Sequence, residues 1–138
     1  MKILCKTGGA KYDIQAGQQV NKIGQYLYKH IDGAFKIEKT ANTCDVYFML
    51  LYQIPQRQRR FGHPEDRKMK QMDINLSITT YQNKIRVNVI EVSPDERTLG
   101  CYTFRPEELV DLEAAKEKIL KKVINRVSKV YEDYDFVF

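Results

Sequence analysis

The chain has 138 residues, of which 43% are hydrophobic and 30% charged, and this length and composition are typical of one folded domain. The longest apolar stretch, residues 46–52, is much shorter than the roughly 20 residues that a membrane-spanning helix needs. The first residues do not resemble a signal peptide, so we expect a protein of the cytoplasm or nucleus without membrane association. The formal net charge is +5, which favours acidic partners.

The three cysteines, Cys5, Cys44 and Cys101, are widely spaced and form no CxxC pair. An odd number of cysteines without a signal peptide is typical of reduced thiols in an intracellular protein. A structural zinc site needs about four ligands at short paired spacings, and His30 and His63 lie far from the cysteines. We therefore expect neither a metal nor a cofactor.

The first 15 residues predict a β-hairpin, since two short apolar segments flank the turn signal Thr7-Gly8-Gly9. A short amphipathic helix follows, with Val20, Ile23 and Leu27 at helical spacing. A hairpin at the first residue, a Lys-Thr pair near its turn and a helix directly after it resemble the opening of the β-grasp, or ubiquitin-like, fold. The resemblance covers about a quarter of the chain and implies an elaborated β-grasp as the alternative fold.

Alternating apolar and polar residues predict most of the remaining strands. The reversal between two of them is expected at Asn83, which tolerates a left-handed conformation. At Val89-Ile90 the alternation slips, which indicates either a bulge or a strand end covered on both faces. The stretch 45–54 is apolar on both faces, which is typical of a central, fully covered strand. The predicted strands are residues 35–39, 45–54, 72–79, 85–92 and 99–104.

A long amphipathic helix is predicted near the C-terminus. It begins either at Pro106, which suits a first helical turn, or at Asp111, which would cap it. Its apolar stripe runs from Leu109 to Tyr131. The whole pattern predicts a single α+β domain over residues 1–138, an antiparallel sheet with one short helix and a long C-terminal helix on one face.

No catalytic constellation is evident. The sequence has neither a GxSxG elbow nor an HExxH motif. The glycines after Thr7 lack the spacing and the following helix of a phosphate-binding loop. The acidic residues Glu65, Asp66 and Asp95 lie in proline-containing turns, where local hydrogen bonding explains them. We therefore expect a protein that is not an enzyme.

The best functional candidate is residues 56–70, which we call the basic loop. From residue 57 to residue 70 it carries six basic and two acidic residues, a net charge of +4. Arginines suit phosphate or carboxylate recognition, and an aromatic ring among them suits stacking on a base. The alternative interpretation is a solvated loop that keeps the sheet edge soluble. The candidate partner-binding residues are Arg57, Arg59, Arg60, Phe61, Arg67, Lys68 and Lys70.

Two further surfaces are secondary candidates. One is the basic face of the C-terminal helix, which would form a groove with the basic loop if both lie on one side. The other is the acidic and aromatic tail, residues 132–138, which either binds a partner or folds back on the sheet. The residues concerned are Lys118, Lys122, Arg126, Lys129, Tyr134, Phe136 and Phe138.

The sequence therefore leaves two functional hypotheses. The first is a non-catalytic interaction module, a small subunit or adaptor of a larger assembly that contacts an acidic protein partner through the basic loop. The second is a nucleic-acid-binding protein without sequence preference, whose affinity for RNA or DNA would fall as salt rises.

Overall fold

The protein's computed structural model describes the backbone of residues 2–137 and the side chains of residues 15–137. Within that range the strands form one antiparallel sheet in the order β1-β2-β3-β4-β5, with β6 paired to β2 beyond the end of β1. This architecture confirms the α+β class with a C-terminal helix. The elements are α1 (Lys2–His30), β1 (Ala34–Lys39), β2 (Thr43–Gln53), β3 (Lys70–Tyr81), β4 (Lys84–Ser93), β5 (Arg97–Phe104), α2 (Leu112–Val130) and β6 (Asp135–Val137).

The alternating apolar residues of β3 and β4 are buried, as predicted. Gln82 and Asn83 adopt φ of 46° and 64° in the turn to β4. Two consecutive positive φ angles are typical of the two-residue turn that suits the twist of a hairpin. The β4–β5 register shifts between Val89 and Ile90, which confirms the first of the two alternatives, a bulge.

The two faces of the sheet differ, and β2 shows this most directly. Phe48 and Leu50 are buried on the face that packs against the helices, which we call the inner face. Met49 and Leu51 point to the opposite, outer face and are 36% and 42% exposed. The prediction that this strand is covered on both sides is therefore wrong, because both helices pack on the inner face and leave the outer one open.

The N-terminal hairpin and the short first helix were also predicted wrongly, since residues 2–30 form one helix of 29 residues. Two isolated short strands are marginally stable in water, whereas extending an existing helix gains one hydrogen bond for each residue added. A helical glycine costs about 1 kcal/mol relative to alanine, so Gly8-Gly9 does not end the helix. The basis for the β-grasp alternative is lost with the hairpin.

The buried face of α1 is the one that the spacing of Val20, Ile23 and Leu27 predicted. Gly24 lies beside these residues, and a Cβ built on it would overlap Cys44 Sγ of β2 and lie 2.7 Å from Cys44 Cβ. The absence of a side chain at position 24 is therefore what lets the helix approach the sheet closely at this point.

The α2 helix begins at the second of the two predicted positions. Residues Pro106–Leu109 form a separate 3-10 turn, and Asp111 is the N-cap, with its carboxylate accepting a hydrogen bond from Ala114 N at 3.1 Å. Ile119 and Val123 are among its buried residues, as the apolar stripe predicted. Among the described helices, none is long and apolar enough to cross a membrane.

Candidate interaction surface

The basic loop connects β2 to β3 and contains two 3-10 turns, Gln56–Gln58 and Pro64–Arg67. Asp66, which is 4% exposed, organises it. Its carboxylate accepts hydrogen bonds from Arg60 N and Arg60 Nε, each at 2.9 Å, and from Arg60 Nη2 at 3.1 Å. These bonds, first from the guanidinium and then from the backbone, hold the pKa of Asp66 well below its usual range. Asp66 thus stabilises the conformation of the loop, and Arg60 is its ion-pair partner.

Three further contacts hold the loop against the rest of the chain. Arg59 Nε donates a hydrogen bond to Ile54 O at 3.0 Å, and Gln53 Nε2 donates one to Arg67 O at 3.2 Å. Arg57 forms an ion pair with Asp133 beyond the end of α2. The loop therefore has a defined conformation, which the sequence did not predict.

The exposed part of the loop is what remains for a partner. Phe61 is 103% exposed at the tip, beside Gly62, whose φ of +79° gives the turn a conformation that favours glycine. Among the described residues, no carboxylate forms an ion pair with Arg59, Arg67, Lys68 or Lys70. A shallow pocket of about 500 Å³ lies at the tip, and its lining residues are Gln56, Arg59, Arg60, Phe61 and Arg67.

The structure thus brings together four of the seven predicted partner-binding residues, namely Arg59, Arg60, Phe61 and Arg67. Arg57 lies apart, where it shares a second open pocket of about 540 Å³ with Pro55 and Asp133. Lys68 and Lys70 follow the second 3-10 turn and lead into β3. The guanidinium of Arg60 belongs to the loop's internal support as well as to its surface.

The basic face of α2 lies elsewhere. Arg126 Nε donates to Leu99 O of β5, and Lys122 Nζ lies 5.7 Å from the ring centroid of Tyr102, also of β5. Lys118 Nζ donates to Glu108 O at 3.4 Å, and Lys129 is exposed. The contacts of Lys118, Lys122 and Arg126 are with β5 and the segment that follows it.

The tail lies on the sheet. Strand β6 pairs with β2, and the ring of Tyr134 stacks on Tyr52 with centroids 5.2 Å apart and planes 10° apart. The ring centroid of Phe136 is 5.7 Å from that of Tyr52. Tyr134 and Phe136 are therefore half-buried structural residues, and Phe138 lies outside the described residues.

Sequence reasoning missed one buried charged cluster. Glu91 of β4 is fully buried and accepts hydrogen bonds from Arg97 Nε and Asp95 N, each at 3.2 Å, and from the Tyr131 hydroxyl. Burial and the bond to Glu91 raise the pKa of Tyr131 to about 12. The available signal was that Glu91 continues the inward alternation of Val87 and Val89. The cluster joins the β4–β5 turn to the C-terminal end of α2.

Comparison of this chain with family models, with curated proteins and with solved structures found no match. Within the described residues, no group of three or more His, Cys, Asp or Glu side chains is arranged to hold a metal ion. The function is therefore inferred from the geometry of the chain itself.

Proposed function

We propose that the protein is a non-catalytic interaction module that binds an acidic surface of a protein partner through the basic loop. The observation that carries this proposal is that Asp66 and Arg60 order the loop while Arg67 and Phe61 stay exposed and Arg59 is half-buried beside them. Ordering a side chain on binding costs about 0.5–1.5 kcal/mol. A loop that is already held by internal bonds avoids part of this cost.

The exposed side chains suit a protein partner. Guanidinium groups form bidentate bonds with carboxylates, and arginine and aromatic residues carry much of the binding energy in protein interfaces. Both histidines of the chain have other contacts, since the ring of His30 lies 4.1 Å from that of Tyr26 and His63 Nδ1 lies 2.9 Å from Glu65 Oε1. The proposal assigns no role to either histidine.

A second candidate function is binding to single-stranded nucleic acid. It is favoured by the same exposed Phe61, because an aromatic ring between arginines can stack on a base while the guanidinium groups contact phosphates. Phosphate contacts release counterions, so this affinity would fall steeply with salt concentration.

Both functions can be tested with one set of variants. The loop variant carries Arg67→Gln, Lys68→Gln and Lys70→Gln, and a matched control carries Lys121→Gln, Lys122→Gln and Lys129→Gln on α2. Tagged proteins are cross-linked in cell extract, the recovered partner is purified, and its affinity is measured by calorimetry. We expect the loop variant to bind about tenfold more weakly or worse and the control to bind like the wild type.

Equal binding by the loop variant and the wild type would contradict the proposal. Fluorescence anisotropy with 20-nucleotide single-stranded RNA and DNA, at low and high salt, tests the alternative. Tight binding at low salt that the loop variant loses would establish nucleic acid as the ligand instead.

A further inference from the structure

The outer face of the sheet carries a line of exposed apolar side chains. Met49 and Leu51 come from β2, and Val137 of β6 pairs beside Leu51 and is 59% exposed. Phe35 of β1 is 46% exposed, and its ring centroid lies 6.3 Å from that of Tyr47. We call these five residues the apolar strip. Contiguous exposed apolar surface of this kind commonly marks an interaction site.

The rest of the outer face has a different character. Two further apolar residues are exposed on this face, Val92 of β4 and Tyr81 of β3, at 40% and 42%. Most other outer-face positions of β3 and β4 are polar. They include Asp73, Ser77, Thr79, Asn88 and Arg86.

A cavity opens beside the middle of the strip, at the edge of β2 between the first residue of β1 and the last residue of β6. Its volume is about 380 Å³, which is enough for a leucine or phenylalanine side chain, and Met49, Leu51 and Val137 lie on its lining. The lining also includes Phe48 and Leu50 of the inner face and Leu120 and Ile124 of α2, so the cavity leads from the strip past the sheet edge towards the helix. Pockets that accept a single apolar side chain are common at the centres of protein interfaces.

The strip leads directly to the basic loop. Gln53 follows Leu51 on the same face of β2, and its side chain holds Arg67 O at 3.2 Å. The apolar surface therefore ends where the cations Arg67 and Lys68 begin. At the other end of the strip, Lys36 Nζ lies 4.9 Å from the ring centroid of Tyr47 and 3.0 Å from Glu38 Oε1. A ligand that lies along the strip would therefore meet positive charge without a carboxylate partner only at the end beside the basic loop.

We propose that the apolar strip and its cavity dock an amphipathic helix of the acidic partner, with acidic side chains at one helix end lying against Arg67 and Lys68. This inference rests on the proposed function, since the basic loop supplies the charged end of the site. A helix fits because an open sheet face with apolar side chains is normally covered by one. From Tyr47 in the strip to Gln53 beside the basic loop, β2 spans roughly 20 Å at about 3.3 Å per residue, which matches about 13 helical residues at 1.5 Å each.

The test uses a defined probe, a fluorescein-labelled 14-residue helix with leucines at positions i, i+3, i+4 and i+7 and three glutamates at one end. A scrambled peptide of the same composition, without an apolar face, is its control. Anisotropy titrations compare the wild type with a strip variant, Met49→Ser/Leu51→Ser, and with Val110→Ser, which is 71% exposed outside the strip. Circular dichroism confirms that each variant is folded.

We expect the wild type and Val110→Ser to bind the amphipathic helix and the strip variant to bind it about tenfold more weakly or worse. Equal affinity for the scrambled peptide, or unchanged binding by a folded strip variant, would overturn the inference. A dimer in light scattering that the strip variant abolishes would also overturn it, because the occupant would then be a second copy of the chain.

The proposed function can fail separately. If Arg67→Gln/Lys68→Gln weakens binding of the natural partner while Met49→Ser/Leu51→Ser does not, the basic loop is the binding site and the helix inference is wrong. If the strip variant alone has an effect, the role assigned to the basic loop is wrong.

Discussion

Replacing Gly24 by alanine tests the close contact between α1 and β2. Helix propensity alone predicts that this change stabilises the protein by about 1 kcal/mol. The structure predicts the opposite sign, because the new Cβ would overlap Cys44 Sγ and lie 2.7 Å from Cys44 Cβ. Overpacking a core by one methyl group costs about 1–3 kcal/mol, so after the gain in helix propensity we expect a net loss of up to about 2 kcal/mol.

The assay is urea unfolding followed by circular dichroism, with Gln25→Ala on the exposed side of the same helix as control, which should change stability by no more than about 0.5 kcal/mol. Adding Cys44→Ala should offset part of the loss in Gly24→Ala, with a coupling of about 1 kcal/mol between the two sites. A Gly24→Ala protein more stable than the wild type would show that the helix does not approach the sheet as described.

Three other predictions concern single side chains. Glu91→Ala should lower the free energy of unfolding by about 3 kcal/mol in urea titration, because Arg97 loses its buried partner. At pH 8 the exposed Cys101 thiol should react with a maleimide well before the Cys44 thiol, whose pKa burial raises to about 11. The pKa of Asp66 is depressed in the folded state. Its contribution to the free energy of unfolding is therefore complete above the unfolded pKa of about 3.9 and is lost as the pH falls through the lower pKa of the folded state. The backbone amide resonance of Arg60, which donates to Asp66, should therefore change its chemical shift only below about pH 4. The substitution Asp66→Asn should abolish this change of chemical shift with pH.

The strands were predictable where one face is buried and the other is not. The alternation at Ile74 and Leu76 fixes which face of β3 meets the helices, and Asn83 fixes its turn. The glycines near residue 8 misled the prediction because a glycine pair signals a turn only when strands exist on both sides of it. Their effect on a helix is small compared with the continuity of α1.

The candidate site was predictable in composition but not in conformation. The sequence placed the charge in residues 57–70, yet it could not show that Arg60 is bound to Asp66, because that pairing depends on a local fold with no periodic pattern. The apolar strip was hidden for a related reason. The sequence pattern of a strand with apolar residues on both faces does not tell whether the second face is covered by the same chain or is left open.

The pairing of β6 with β2 has a consequence for the order in which the protein assembles. Strands β1 to β5 join neighbours through short connections, apart from the basic loop, and such local contacts close quickly. The contact between Arg57 and Asp133 joins residues 76 positions apart, so the loop entropy of closing it is larger. We expect β6 and its contacts with the basic loop to form late in folding and to open first in hydrogen exchange. Detachment of β6 from β2 would then free one side of the basic loop while the sheet formed by β1 to β5 stays intact.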